Sequence, residues 1–119
     1  MADERVKLLK ILRAELEDLV EDIGLLEKRA GERLARDEIT DHVFRENDSL
    51  FRMESTSLHR LLNFIDGIDV SLYKSLDELT DTLDLQVREL VREHEEPQVV
   101  STFFSRKLKK VRDYVLSAG

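Results

Sequence analysis

Residues 8–35 read LLKILRAELEDLVEDIGLLEKRAGERLA. Within this stretch Leu9, Leu12, Leu16, Leu19, Ile23, Leu26 and Ala30 recur at alternating spacings of three and four. That is a heptad seam sustained over three repeats, the periodicity of one face of a helix packed along its length. Leu8, Val20, Leu25 and Leu34 widen the stripe, as expected of a helix with more than one neighbour. The pattern predicts a first helix from about Asp3 to Ala35, with Gly31 an alternative early stop near residue 30. At ~1.5 Å per residue such a helix spans ~50 Å. A compact globule of this size has a radius of gyration of only ~13–14 Å. The molecule is therefore expected either to be an elongated bundle or to project its first helix toward another chain.

The same spacing continues downstream. Phe44, Asn47, Phe51, Glu54, Leu58, Leu61, Ile65 and Ile68 define a second helix, with Asp37 as N-cap and Gly67 at the left-handed position after its end. Asn47-Asp48-Ser49 is a possible break in it. Leu72, Leu76, Leu79, Leu83, Gln86 and Leu90, flanked by Val87 and Val91, give a third helix from about Leu72 to Glu95. Asp69 or Ser71 is its expected cap, and Ser75-x-x-Glu78 forms a second capping-box pattern. After Pro97, a shorter fourth helix from Gln98 to Ser117 carries Phe104, Leu108, Val111 and Val115. Short connections make sequential helices antiparallel. The expected fold is all-α: one domain over residues 1–119, an elongated up-down bundle of four helices with coiled-coil-like seams.

Composition narrows the function. The chain has 119 residues, one Pro, four Gly and no Cys, so disulfides, thiolate metal sites and cysteine nucleophiles are excluded. A reducing, cytoplasmic setting is expected. No apolar run approaches the length of a membrane span, and MADERVK at the start lacks an apolar signal core. Residues 1–97 carry 14 basic and 25 acidic side chains, a net of −11, whereas residues 98–119 carry five basic and one acidic, a net of +4. An acidic body opposes phosphate binding, so nucleic acid is an unfavoured partner.

Four constellations bear on chemistry. Glu15-x-x-Asp18 and Glu78-x-x-Asp81 have the spacing of the acidic pairs that hold Mg²⁺ in all-α nucleotide pyrophosphohydrolases, but the heptad register turns three of the four outward. Arg36/His42, Arg52/His59 and Arg88/His94 match the Arg–His spacing of HEPN-type ribonucleases, a pattern that an arginine-rich helical chain produces by chance. No Glu-x-x-His or His-Glu-x-x-His motif is present, so no metal or cofactor is expected. His94 is expected on the apolar side of the third helix, partly buried near its C-terminus.

Asn47 and Glu54 interrupt the second seam as a candidate polar core layer. A carboxylate placed there has to be paired, protonated or at an end that opens to water. On the fourth helix Phe103, Arg106, Lys107, Lys110 and Tyr114 form a candidate partner-binding flank. The competing reading of that flank has its cations facing the acidic block Glu15, Glu17, Asp18, Glu21, Asp22 and Glu27 of the first helix. The expected function is a non-enzymatic helical adaptor, chaperone-like or regulatory protein that acts by protein–protein contact and forms a homo-oligomer. The alternatives are an all-α enzyme acting on nucleotides or RNA and a small nucleic-acid-associated protein using the fourth helix.

Overall fold

The computed structural model describes residues 3–118 and contains four helices: α1 (Glu4–Ala35), α2 (Asp41–Asp66), α3 (Leu76–Glu93) and α4 (Gln98–Ala118). They run up and down as two hairpins, α1/α2 and α3/α4, which meet chiefly along α1 and α4. A single buried cluster joins Leu8, Leu12 and Leu16 of α1 to Leu61 and Ile65 of α2, Leu79, Leu83 and Val87 of α3, and Phe104, Val111 and Val115 of α4. The α4 seam read from the sequence, Phe104, Leu108, Val111 and Val115, is buried throughout. The molecule measures 55 × 31 × 20 Å with a radius of gyration of 16.9 Å, elongated as the length of α1 demands.

Cross-links between helices set their relative heights. Arg13 of α1 meets Asp66 of α2 at 2.6 Å, and Lys107 of α4 meets Glu15 of α1 at 2.9 Å. Ser105 and Arg112 of α4 bond to Asp84 and Asp77 of α3. Arg60 of α2 pairs with Glu96 in the α3–α4 turn. Counting along α4 from Lys107 up to Gln98 therefore places the top of the α3/α4 hairpin near residue 24 of α1. Above it, α1 and α2 continue alone for ~15–20 Å at 1.5 Å per residue.

Both hairpin turns are closed by the same device. Asp37 (φ 59°) and Glu95 (φ 51°) adopt left-handed backbone. Glu38 N–H donates to Arg33 O and Asp37 N–H to Leu34 O; Glu96 N–H to Val91 O and Glu95 N–H to Arg92 O repeat the pattern. These are Schellman closures formed without glycine. They correct the expectation for Asp37, which terminates α1 and so leaves Thr40 to cap α2 by accepting from Val43 N–H at 3.2 Å. Gly67 is likewise not left-handed (φ −88°); i→i−3 bonds to Phe64 and Ile65 tighten that end instead. Gly31 does not stop α1, and α2 passes through Asn47-Asp48-Ser49 unbroken.

The third helix starts four residues later than its apolar pattern implies. Leu72 lies in a 3₁₀ turn (Val70–Leu72) and is 71% exposed. Asp69 caps that turn through Ser71, and Arg5 donates to the carbonyls of Val70 (2.9 Å) and Tyr73. Ser75 then caps α3 through Glu78 N–H, while the Glu78 carboxylate accepts from Lys74 N–H at 3.0 Å. At the other end His94 is exposed rather than partly buried, because it is the C-cap residue and has left the apolar face; its Nδ1–H donates to Leu90 O.

Candidate protein-contact surfaces

Two surfaces follow from this architecture. The first is the flank of α4. Lys107 does not face solvent freely: its Nζ is 2.9 Å from Glu15 Oε2 and 5.8 Å from the Phe103 ring centre. The Lys107 hydrogen bond, with the charges of Lys107 and Lys110, holds the Glu15 carboxyl below the usual glutamate range. Tyr114 is exposed, with Lys7 of α1 6.0 Å from its ring centre. Lys110 and Arg106 are exposed. The basic flank and the acidic block of α1 thus meet within the chain at one point, Glu15, while Asp18, Glu21 and Asp22 are exposed beside it.

The second surface is a shelf, formed where α3 and α4 end and the α1/α2 hairpin continues. Helical periodicity puts Leu26 on the side of α1 that α4 covers lower down, two turns beyond Leu19. On α2, Val43, Leu50 and Met53 occupy the side that Ser57 and Leu61 turn toward the α3/α4 layer. Ser57 and Leu61 are buried; Leu50 and Met53 are 55% and 47% exposed, Leu26 45% and Val43 39%. The opposite edge of α2 carries half-buried Phe44 and Phe51 and buried Leu58, the last two part of the core. A cavity of about 370 Å³ lies in the inner corner, between Met53, Ser57 and Arg60 of α2 and His94–Pro97 of the α3–α4 turn.

The shelf accounts for Asn47 and Glu54. Both lie on the inward stripe of α2, as their spacing requires, but Asn47 is half-buried and Glu54 exposed. They do not form a buried polar layer, because the covering helices stop below them. Of the three conditions that allow a carboxylate on this stripe, opening to water is the one realised.

A cavity of about 770 Å³ is an open groove between α3 and α4 that includes Arg88, Arg92 and Arg106. Its hydroxyls are already engaged within the chain: Ser101 and Thr102 donate to Gln98 O, and Ser105 donates to Asp84. Arg88 is paired with Asp84 at 2.9 Å. The acidic pairs with Mg²⁺-site spacing are similarly engaged, Glu15 by Lys107 and Glu78 by the α3 cap. His42, His59 and His94 are all exposed, and His59 Nδ1–H donates to Ser55 O at 2.8 Å. Among the described residues no three His, Asp or Glu side chains come together as a metal-ion cluster, and no helix is long and apolar enough to cross a membrane.

The shelf is the feature that sequence reasoning missed. Its signal was the arithmetic of helix lengths: 32 and 26 residues in one hairpin against 18 and 21 in the other. Comparison of the chain with protein-family models, curated proteins and solved structures gives no match.

Proposed function

We propose that this chain is a non-enzymatic helical adaptor that works by protein–protein contact in the cytoplasm. The observation that carries the reading is the shelf. It is a two-helix face on which Leu26, Val43, Leu50 and Met53 are open to water, directly continuing a core that is closed lower down. Contiguous apolar side chains at the end of a packed layer favour a protein surface over water, and their burial is worth roughly 25 cal/mol per Å². Leu50→Glu with Met53→Glu tests the proposal. Both residues are exposed, so the thermal melt is expected to stay close to wild type, while native affinity capture loses its partners. Equal capture by both proteins removes the shelf as the contact surface. Hydrolysis of nucleoside triphosphates or cleavage of RNA by the purified chain, dependent on the carboxylate pairs or on an Arg–His pair, would replace the adaptor reading with the enzymatic one.

A further inference from the structure

We infer that the occupant of the shelf is a second copy of this chain, docked antiparallel so that each projecting hairpin completes the other's missing layer. The inference rests on the reading of the shelf as a contact surface and names its partner.

Shape supports it first. Below residue 24, α1 is packed against α4, and Ser57 and Leu61 on the inward side of α2 are buried. Above that level the two-helix width of the α1/α2 layer is open. A single helix would fill one groove only, whereas the tip of another α1/α2 hairpin has the required width and the same length. Two such faces brought together with a two-fold axis along their width cover each other from tip to step.

Register supports it next. The shelf on α2 runs from Asp41 at the tip to Glu54 at the step, so its centre lies near residue 48. In the two-fold arrangement α2 faces α2. Leu50 then lies beside Leu50 of the second copy, and Val43 faces the second copy's Met53. Val43 and Met53 thus pair as apolar partners, while Glu46, four residues before Leu50 on the same side of α2, comes level with the second copy's Leu50. Glu54 comes level with the second copy's His42 at the exposed tip.

Charge is consistent with self-association. Residues 24–54 hold six basic and eight acidic side chains, a net of −2, against −5 for the rest of the chain. The charges along α2 already neutralise one another in Asp41–Arg45 and Asp48–Arg52 pairs, and His42 lies 3.0 Å from Glu46. Two copies of a strongly charged tip would repel; two copies of this one do not. An overlap ~18 Å long and two helices wide removes on the order of 600 Å² per copy, about 1,200 Å² in all, the lower edge of specific interfaces. The dimer is therefore expected to form at micromolar rather than nanomolar concentration.

Sedimentation equilibrium of the full chain from 5 to ~500 μM, interpreted against the micromolar range, is the test. The expected result is a monomer–dimer equilibrium for the wild type. Leu50→Glu with Met53→Glu should weaken it about tenfold or more (at least ~1.4 kcal/mol) with unchanged helical circular dichroism. The chain has no cysteine, so a single Leu50→Cys offers a clean geometric check: a short bismaleimide should link it into dimers, while Leu85→Cys, exposed on α3 away from the shelf, stays unlinked. A wild type that remains at 13.9 kDa throughout overturns the inference. So does a dimer that the double variant leaves intact. If the wild type is monomeric but the double variant still loses captured partners, the second-copy inference falls and the adaptor reading stands. If the variant changes neither, both fall.

Discussion

Lys107 on α4 and Glu15 on α1 stand 92 positions apart in sequence and 2.9 Å apart in space. This contact ties the second hairpin to the first and sets the level at which the α3/α4 layer ends. It also gives the bundle a measurable pH dependence. The folded state lowers the Glu15 pKa, so the pair stabilises the fold above the ordinary glutamate pKa of ~4.3 and the stabilisation is lost as pH falls through the folded value. Glu15→Gln is expected to cost about 0.5–1 kcal/mol at neutral pH, because the pair is only partly shielded from solvent. Urea midpoints of the two proteins should converge once the pH falls below the folded value.

Leu61 and Leu50 occupy the same inward side of α2 at different heights, and they predict opposite outcomes. Leu61→Ala removes a buried side chain and is expected to cost about 2–5 kcal/mol. Leu50→Ala alters a side chain that the covering layer does not reach, and should shift monomer stability by less than about 0.5 kcal/mol. Denaturation at low micromolar concentration, with circular dichroism as readout, distinguishes the two. Similar losses would mean that the shelf is closed.

The left-handed residues at the hairpin turns provide a stabilising substitution. An L-residue in that conformation costs about 1–2 kcal/mol that glycine avoids, and the greater entropy of glycine in the unfolded chain offsets part of the gain. Glu95→Gly is expected to stabilise by about 0.5–1 kcal/mol. Asp37→Gly should gain less, because a short polar side chain tolerates this region better. Thermal melts of the two variants rank them; a destabilised Glu95→Gly would show that the Glu95 side chain contributes more than its backbone costs.

Ser75 decides where α3 begins. Ser75→Ala removes the acceptor for Glu78 N–H and should cost about 1 kcal/mol, typical of a lost N-cap. Hydrogen exchange is expected to rise first at residues 76–79, leaving Leu83 and Val87 protected.

Periodicity located the helices well where a stripe is buried along its whole length. In α4 each expected seam residue is buried, and in α1 Leu12, Leu16, Ile23 and Ala30 are. It failed where burial depends on a neighbour's length. Leu26 and Glu54 sit on the correct faces of their helices, yet no periodicity within α1 or α2 records that α3 and α4 are shorter. Leu72 failed for a local reason: Asp69, Ser71 and the Arg5 guanidinium hold residues 69–73 outside the helix more effectively than one leucine draws them in. Asp37 was a suitable N-cap type, but the end of α1 took it first. On the α4 flank, the sequence placed cations opposite an acidic block but could not choose Lys107 and Glu15 as the pair that meets, since that depends on how two helices slide past one another.

The Lys7–Tyr114 approach has a consequence for building with this molecule. It brings the beginning of α1 beside the end of α4, so the chain enters and leaves at one pole, while the Asp37–Thr40 turn forms the other, a helix length of ~48 Å away. A label, surface anchor or second domain grafted at either pole-side end would hold the bundle like a handle and stay clear of the shelf at the far tip. Two different cargoes, one at each end, would sit side by side and be presented on the same arm.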